Sequence, residues 1–296
     1  MTKSLSPRAG VLALLAIAVV FGSNHVAARI AFDDGTSVAT AVAVRSSVTA
    51  LTLFAWLRVL GISLALPRPT LLRAVAIGTL VALQSYCLYS AVARIPVALA
   101  LIAFNTFPML LALLSWIFAG ERPARRALVA MPVALVGLAL ALDVTGRAGD
   151  VAGRWSEIGA GVGFALGAAL SFALVLLLTA RWLKDMDGRL RSFLTMAVTA
   201  VVVLAGAAVA DAFSVPRSAQ GWLGLALLTA FYGSAITALF VVLPRLSAAG
   251  DAVALNFEPI ALLFLAWAIL GQAVTPLQMF GALIVIGAIT VPALRR

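Results

Sequence analysis

Two short runs carry polar chemistry into otherwise apolar surroundings. Asn105-Thr106-Phe107-Pro108 and Asn256-Phe257-Glu258-Pro259 share an Asn-x-x-Pro arrangement. A proline inside a helix removes one backbone donor and clashes with the carbonyl a turn earlier, while asparagine adds two donors and an acceptor beside the freed groups. Pro108 and Pro259 are therefore expected helix breaks. Either break alone reads equally as a packing kink, but recurrence at related sites favours cavity lining. Glu258 lies inside the second run, where a charge at membrane depth costs about 2.5–3.5 kcal/mol and calls for a wet cavity or a partner. Its other reading is a carboxylate that satisfies backbone groups beside the proline.

Further polar groups interrupt apolar stretches. His25 follows Asn24 at the end of Gly22-Ser23-Asn24-His25 and is either a packed, hydrogen-bonded imidazole or a contact for a bound molecule. Arg45 lies about 11 Å along its helix at 1.5 Å per residue, deep enough either to meet a carboxylate or to snorkel. Tyr86 and Tyr89 share a face at i, i+3, and with Gln84 and Tyr232 offer either a stacking, polar-rimmed surface or simple packing. Metal and thiol chemistry are not expected from one cysteine, Cys87, and one histidine.

The elements that must position these groups are membrane-spanning. Hydrophobic residues make up 64% of the 296-residue chain and charged residues 11%, against about 45–50% and about 25% in soluble proteins. Apolar runs of about 20 residues fit spanning helices and not the short alternating strands of a barrel. We expect an all-α polytopic fold with ten spans: Ala9–Ala31, Val38–Val59, Thr70–Val92, Val97–Phe118, Arg126–Val144, Glu157–Ala180, Ser192–Phe213, Gly221–Leu243, Ala252–Leu270 and Leu277–Leu294. The first is expected to remain as an uncleaved span, because its apolar run carries Asn24 and His25. The short loops leave no room for an extramembrane domain. The net charge of +10 sits between the apolar runs and reads as an orientation signal, with no nucleic-acid partner implied.

With ten spans, fifteen Lys and Arg residues fall on the side of the termini, five on the other, and Arg45 within span two. The positive-inside rule then makes both termini cytoplasmic. Sliding the chain on itself by 151 residues pairs Arg94 with Arg245, Asn105 with Asn256, Pro108 with Pro259, Trp116 with Trp267 and Gly120 with Gly271, among nine identities over 27 residues. Residues 1–150 and 151–296 are thus read as homologous five-span halves. Five is odd, so the second half must enter the bilayer inverted. The basic residues Arg122, Arg125 and Arg126 have no counterparts between Gly271 and Leu277, as inversion requires.

Inverted repeats are characteristic of secondary transporters, which hold substrate between their halves. A small-molecule substrate is accordingly expected among Asn24, His25, Tyr86, Tyr89, Asn105, Tyr232, Asn256 and Glu258, in a protein whose surroundings are the lipid bilayer and which acts as a monomer. No cofactor and no ATP-binding motif are expected. Only Glu258 and His25 are candidates for carrying a proton, neither has a symmetry mate, and uncoupled transport follows as the expectation. A channel and a proton-coupled efflux protein remain alternatives. An intramembrane enzyme is a distant one: Ser23 and His25 are too close in sequence for an obvious dyad, and Asp33 and Asp34 stand unsupported.

The run Asn256-Phe257-Glu258-Pro259, followed by Trp267 and Gly271, resembles the Glu-Pro signature of the drug/metabolite transporter superfamily in its EamA-type ten-helix branch. Pro108 leading to Gly120-Glu121 resembles that family's other marker, and the likeness departs at Gln272, where a second Gly-Glu pair is common. The resemblance implies an inverted-repeat transporter of the bacterial inner membrane that exports amino acids, related metabolites or drugs. Within the branch the chain looks like the aromatic amino-acid exporters.

Overall fold

A computed structural model describes residues 7–120, 125–141, 151–242, 258–272 and 275–294. Among these the chain forms eleven α-helices and no strand. Helices are what a bilayer permits, because each backbone donor and acceptor is satisfied within its own segment. The first half contains α1 (Pro7–Asp33), α2 (Val38–Val59), α3 (Arg68–Arg94), α4 (Val97–Phe104), α5 (Phe107–Ala119) and α6 (Arg125–Ala141). The second contains α7 (Val151–Trp182), α8 (Gly188–Val209), α9 (Ala219–Val242), α10 (Glu258–Leu270) and α11 (Pro276–Leu294). Seven apolar stretches have spanning length, with α4 and α5 forming one of them, Val97–Phe118. Three shorter apolar helices, in α6, α10 and α11, account for the rest of the ten.

Local chemistry sets the helix ends. Ser37 caps α2 by accepting from the Thr40 N–H at 3.1 Å. Span seven begins four residues before the expected Ser192, because Asp187 caps α8 by accepting from Arg189 N–H at 2.8 Å. Thr275 and Gln278 form a reciprocal capping box at α11, with bonds of 3.0 and 3.2 Å. The bounds of α5 and α10 differ by 151 residues at both ends. Gly120 and Gly271, at the same offset, both terminate them in the left-handed region at φ 69° and 63°.

The packing also respects an exchange of halves. The principal partners are α1 with α9, α3 with α7, α2 with α8, and α6 with α11. In span numbers these are 1 with 8, 3 with 6, 2 with 7, and 5 with 10. Swapping each span for its counterpart five places away maps the first pair onto the second and the other two onto themselves. Glycines permit the close approaches: a side chain at Gly281 would run into Gly137 O and Ala141 N across the α6–α11 contact, and one at Gly224 would meet Ala31 N at 2.9 Å between α9 and α1. Gln272 joins the halves elsewhere, its Oε1 accepting the Val97 N–H at 3.1 Å at the start of α4.

Candidate functional site

The polar groups converge where α1, α2, α3, α9 and α10 meet, and Arg45 is the centre. Its side chain is buried at 3% exposure in α2. Nη1 donates to Tyr89 Oη at 3.1 Å and Nη2 to Ser85 Oγ at 2.9 Å, both on α3. The guanidinium carbon lies 3.8 Å from the Tyr232 ring centroid and 4.8 Å from that of Tyr89. Ring quadrupoles stabilise the cation without neutralising it. Among the described residues no carboxylate pairs with Arg45. Sequence analysis left Arg45 between two readings and did not single out Ser85; charge at span depth was the signal for the former, and nothing distinguished the latter from other small polar residues.

Tyr89 is the hub of the cluster. Fully buried, it accepts from Arg45 and donates to Asn24 Oδ1 at 2.9 Å. Its ring also meets the His25 ring edge-on with centroids 5.9 Å apart. His25 Nε2 in turn lies 3.6 Å from Glu258 Oε1 on α10. Here α1 sits against the α10 backbone, and a Cβ added at Gly22 would make ordinary van der Waals contact with Glu258 O at 3.7 Å. Five of the expected contacts, Asn24, His25, Tyr89, Tyr232 and Glu258, therefore form one cluster, joined through Tyr89, Arg45 and His25, with residues from both halves.

The others fall elsewhere. Tyr86 does not share the buried face of Tyr89: it is 41% exposed on a stripe of α3 with Leu72, Thr79 and Leu83. A spacing of three residues leaves two side chains about 60° apart, and the buried face is centred on Ser85 and Tyr89, which are four apart. Asn105 lies at the break between α4 and α5, where its Nδ2 donates to Leu101 O at 2.7 Å. The break precedes Pro108, the second residue of α5, as expected when the proline ring clashes with the carbonyl of Phe104. Phe104, Phe107 and Phe172 pack around it. Asn256 lies outside the described residues, and Pro259 is the second residue of α10.

A cleft of about 920 Å³ runs between α2 and α9, lined by Val44, Val48 and Thr49 on one side and Thr229, Gly233 and Ser234 on the other. Its lining includes Val44 and Gly233, the chain neighbours of Arg45 and Tyr232. At one end of the bundle a separate polar clasp joins the α1–α2 turn to the α8–α9 connection. Asp34 Oδ2 accepts from the N–H groups of Arg217 and Ser218 at 2.7 and 2.8 Å, and Ser214 Oγ donates to Gly35 O at 2.6 Å. Hydrogen bonds from the Ser218 backbone and hydroxyl hold the Asp34 carboxyl below the ordinary carboxylate range.

Residues 8–142 and 159–292 each match the model of the EamA-like transporter family. The chain belongs to that family. The EamA-like match covers both halves of a multi-pass membrane protein built for transport of small molecules. The chain is also similar to a solved structure described only as the crystal structure of a protein, at 17% identity over 100% of both chains and with a TM-score of 0.66, a likeness of fold. No curated protein matches the chain significantly.

Proposed function

We propose that this EamA-like protein exports amino acids or closely related metabolites from the bacterial cytoplasm by alternating access, as a monomer in the inner membrane with both termini cytoplasmic. The observation that carries the reading is the buried polar cluster contributed by both halves, with Asn24, Arg45 and Tyr89 from the first and Tyr232 and Glu258 from the second. Transporters with inverted repeats bind substrate at such an interface and expose it to either side by rocking one half against the other. The two repeats, residues 1–150 and 151–296, would be the moving bodies. The aromatic rings beside Arg45 suit an aromatic or other planar side chain, in keeping with the resemblance to aromatic amino-acid exporters. In this reading transport is uncoupled, and overproduction inside the cell supplies the gradient.

Saturable counterflow of labelled amino acids in proteoliposomes, against a panel of unlabelled competitors, tests it. Trans-stimulation by a competing amino acid supports a carrier. Flux that neither saturates nor responds to substrate on the far side would instead indicate a channel. One observation favours a second reading, proton coupling: His25 and Glu258, the titratable groups at span depth, stand 3.6 Å apart. Sustained accumulation driven by an imposed pH gradient, lost in Glu258→Gln, would replace the uncoupled mechanism with that one.

A further inference from the structure

The cluster around Arg45 contains more buried donors than acceptors. Among the described residues Arg45 Nε and Asn24 Nδ2 have no hydrogen-bond partner, and neither do the hydroxyls of Ser46 and Thr49. All four residues are at most 5% exposed. Their existing bonds do not use up the donors: Arg45 spends Nη1 and Nη2 on neutral hydroxyls, and Asn24 uses only its oxygen. Burying a polar group without a partner is costly, so four on adjoining helices mark a site completed by something the described residues do not supply. Unpaired amide and guanidinium donors call for an acceptor. An arginine without a carboxylate among the described residues calls for a negative one.

From this geometry we infer that Arg45, Asn24 and Tyr89 form a carboxylate subsite, so that the carried molecules are defined by a carboxylate group more than by an amino group. The inference deepens the transport reading and rests on it for the word "carried"; the binding itself does not. Guanidinium and carboxylate match as planar groups, and their hydrogen bonds are charge-assisted. Tyr89 holds the guanidinium and the Asn24 amide in one arrangement through bonds of 3.1 and 2.9 Å. Tyr232 stacks over the cation from the second half at 3.8 Å, beside the cleft between α2 and α9. Binding therefore involves a ring contributed by one half and a cation contributed by the other. The two rings hold Arg45 in place, so an incoming carboxylate meets preorganised donors.

The test uses the full-length protein, purified in detergent, and the thermal shift produced by matched probes: L-phenylalanine and phenylacetate against L-phenylalaninamide and phenylacetamide. Wild type should be stabilised by both carboxylates with at least a tenfold preference over the amides in apparent affinity. Arg45→Met should bring that preference close to unity, and Arg45→Lys should keep part of it because the charge remains and the fork is lost. If Arg45→Met does not fold, Asn24→Leu provides the same comparison through a second donor and should lower the preference severalfold. Equal stabilisation by acid and amide in wild type overturns the subsite, as does undiminished preference in a folded Arg45→Met. Counterflow separates the two claims. Carboxylate binding without exchange leaves the subsite standing and defeats the transport reading; exchange of amides as fast as acids does the reverse.

Discussion

The Arg45 cluster and the Asn105 break both interrupt apolar helices with polar chemistry, yet they end in opposite states. At the break the asparagine donates to its own helix, at Leu101 O, and the Thr106 hydroxyl does the same at Ala103 O. The polar side chains at the break are thus satisfied by their neighbours in sequence. At the cluster the partners come from helices far apart in sequence, and donors remain over. The two regions also differ in symmetry. Asn105 and Pro108 recur as Asn256 and Pro259, whereas at the same 151-residue offset Val175 and Leu176 stand for Asn24 and His25, and Met196 for Arg45. Recurrence marks what the architecture requires of both halves. In the proposed function the singular polar residues answer to the substrate instead.

Substitution can break this comparison. The largest effect is expected for Arg45→Met, which should lower counterflow at sub-saturating substrate by about a hundredfold or more, equivalent to at least about 2.7 kcal/mol. Asn105→Leu should cost only a few-fold in the same assay, since what it loses first is a bond to its own helix. Equal losses in the two variants would erase the distinction between an architectural break and a binding centre.

Tyr89→Phe sharpens it at the next level. The ring and its cation–π contact persist, but the hydroxyl that accepts from Arg45 and donates to Asn24 is removed, leaving two buried groups short of a partner. Stability should fall by about 1–3 kcal/mol, measurable as a lower melting temperature, and substrate should recover part of the loss by binding. A melting temperature unchanged with and without substrate would show that Tyr89 is not the hub.

A loss of stability of similar size, with no effect on binding, is expected at α6–α11, outside the Arg45 cluster. Gly281→Val would press against the α6 backbone and should cost about 1–3 kcal/mol through overpacking, with the acid-to-amide preference unchanged. A change in preference without a loss of stability would mean that this contact communicates with the site.

The smallest is expected at the Asp34 clasp. The carboxyl titrates below its ordinary range when folded, so its contribution is fully present above that range and is lost as pH falls through the lowered value. Asp34→Asn should mimic the acidic state at neutral pH. Cysteine labelling from the outside near Gly35 should become modestly faster while equilibrium substrate affinity stays the same. Faster labelling accompanied by weaker binding would tie the clasp to the site.

Much of the fold follows from the linear pattern. Apolar runs of spanning length require helices, because unpaired backbone cannot sit in hydrocarbon, and the 151-residue repeat with its one-sided cations requires an inverted second half. The break before Pro108 is equally local, since the clash that causes it lies one turn away. Likewise legible were most members of the cluster, because polar residues at span depth are costly enough to stand out.

What the sequence by itself determined, then, is where the chain must be helical, that its second half repeats the first inverted, and which residues are anomalous in apolar surroundings. Only the tertiary structure decided how those anomalies are shared. Arg45, with acceptable readings as a snorkelling or a binding residue, is buried under Tyr232, a residue 187 positions away. His25 and Glu258 pair across 233 positions. Tyr89 enters the cluster and Tyr86 does not, although three residues separate them. Local rules govern backbone hydrogen bonds because their partners are at most a few residues apart. Side-chain partnership depends on which helix faces bury each other, and that is set by the packing of all the spans together.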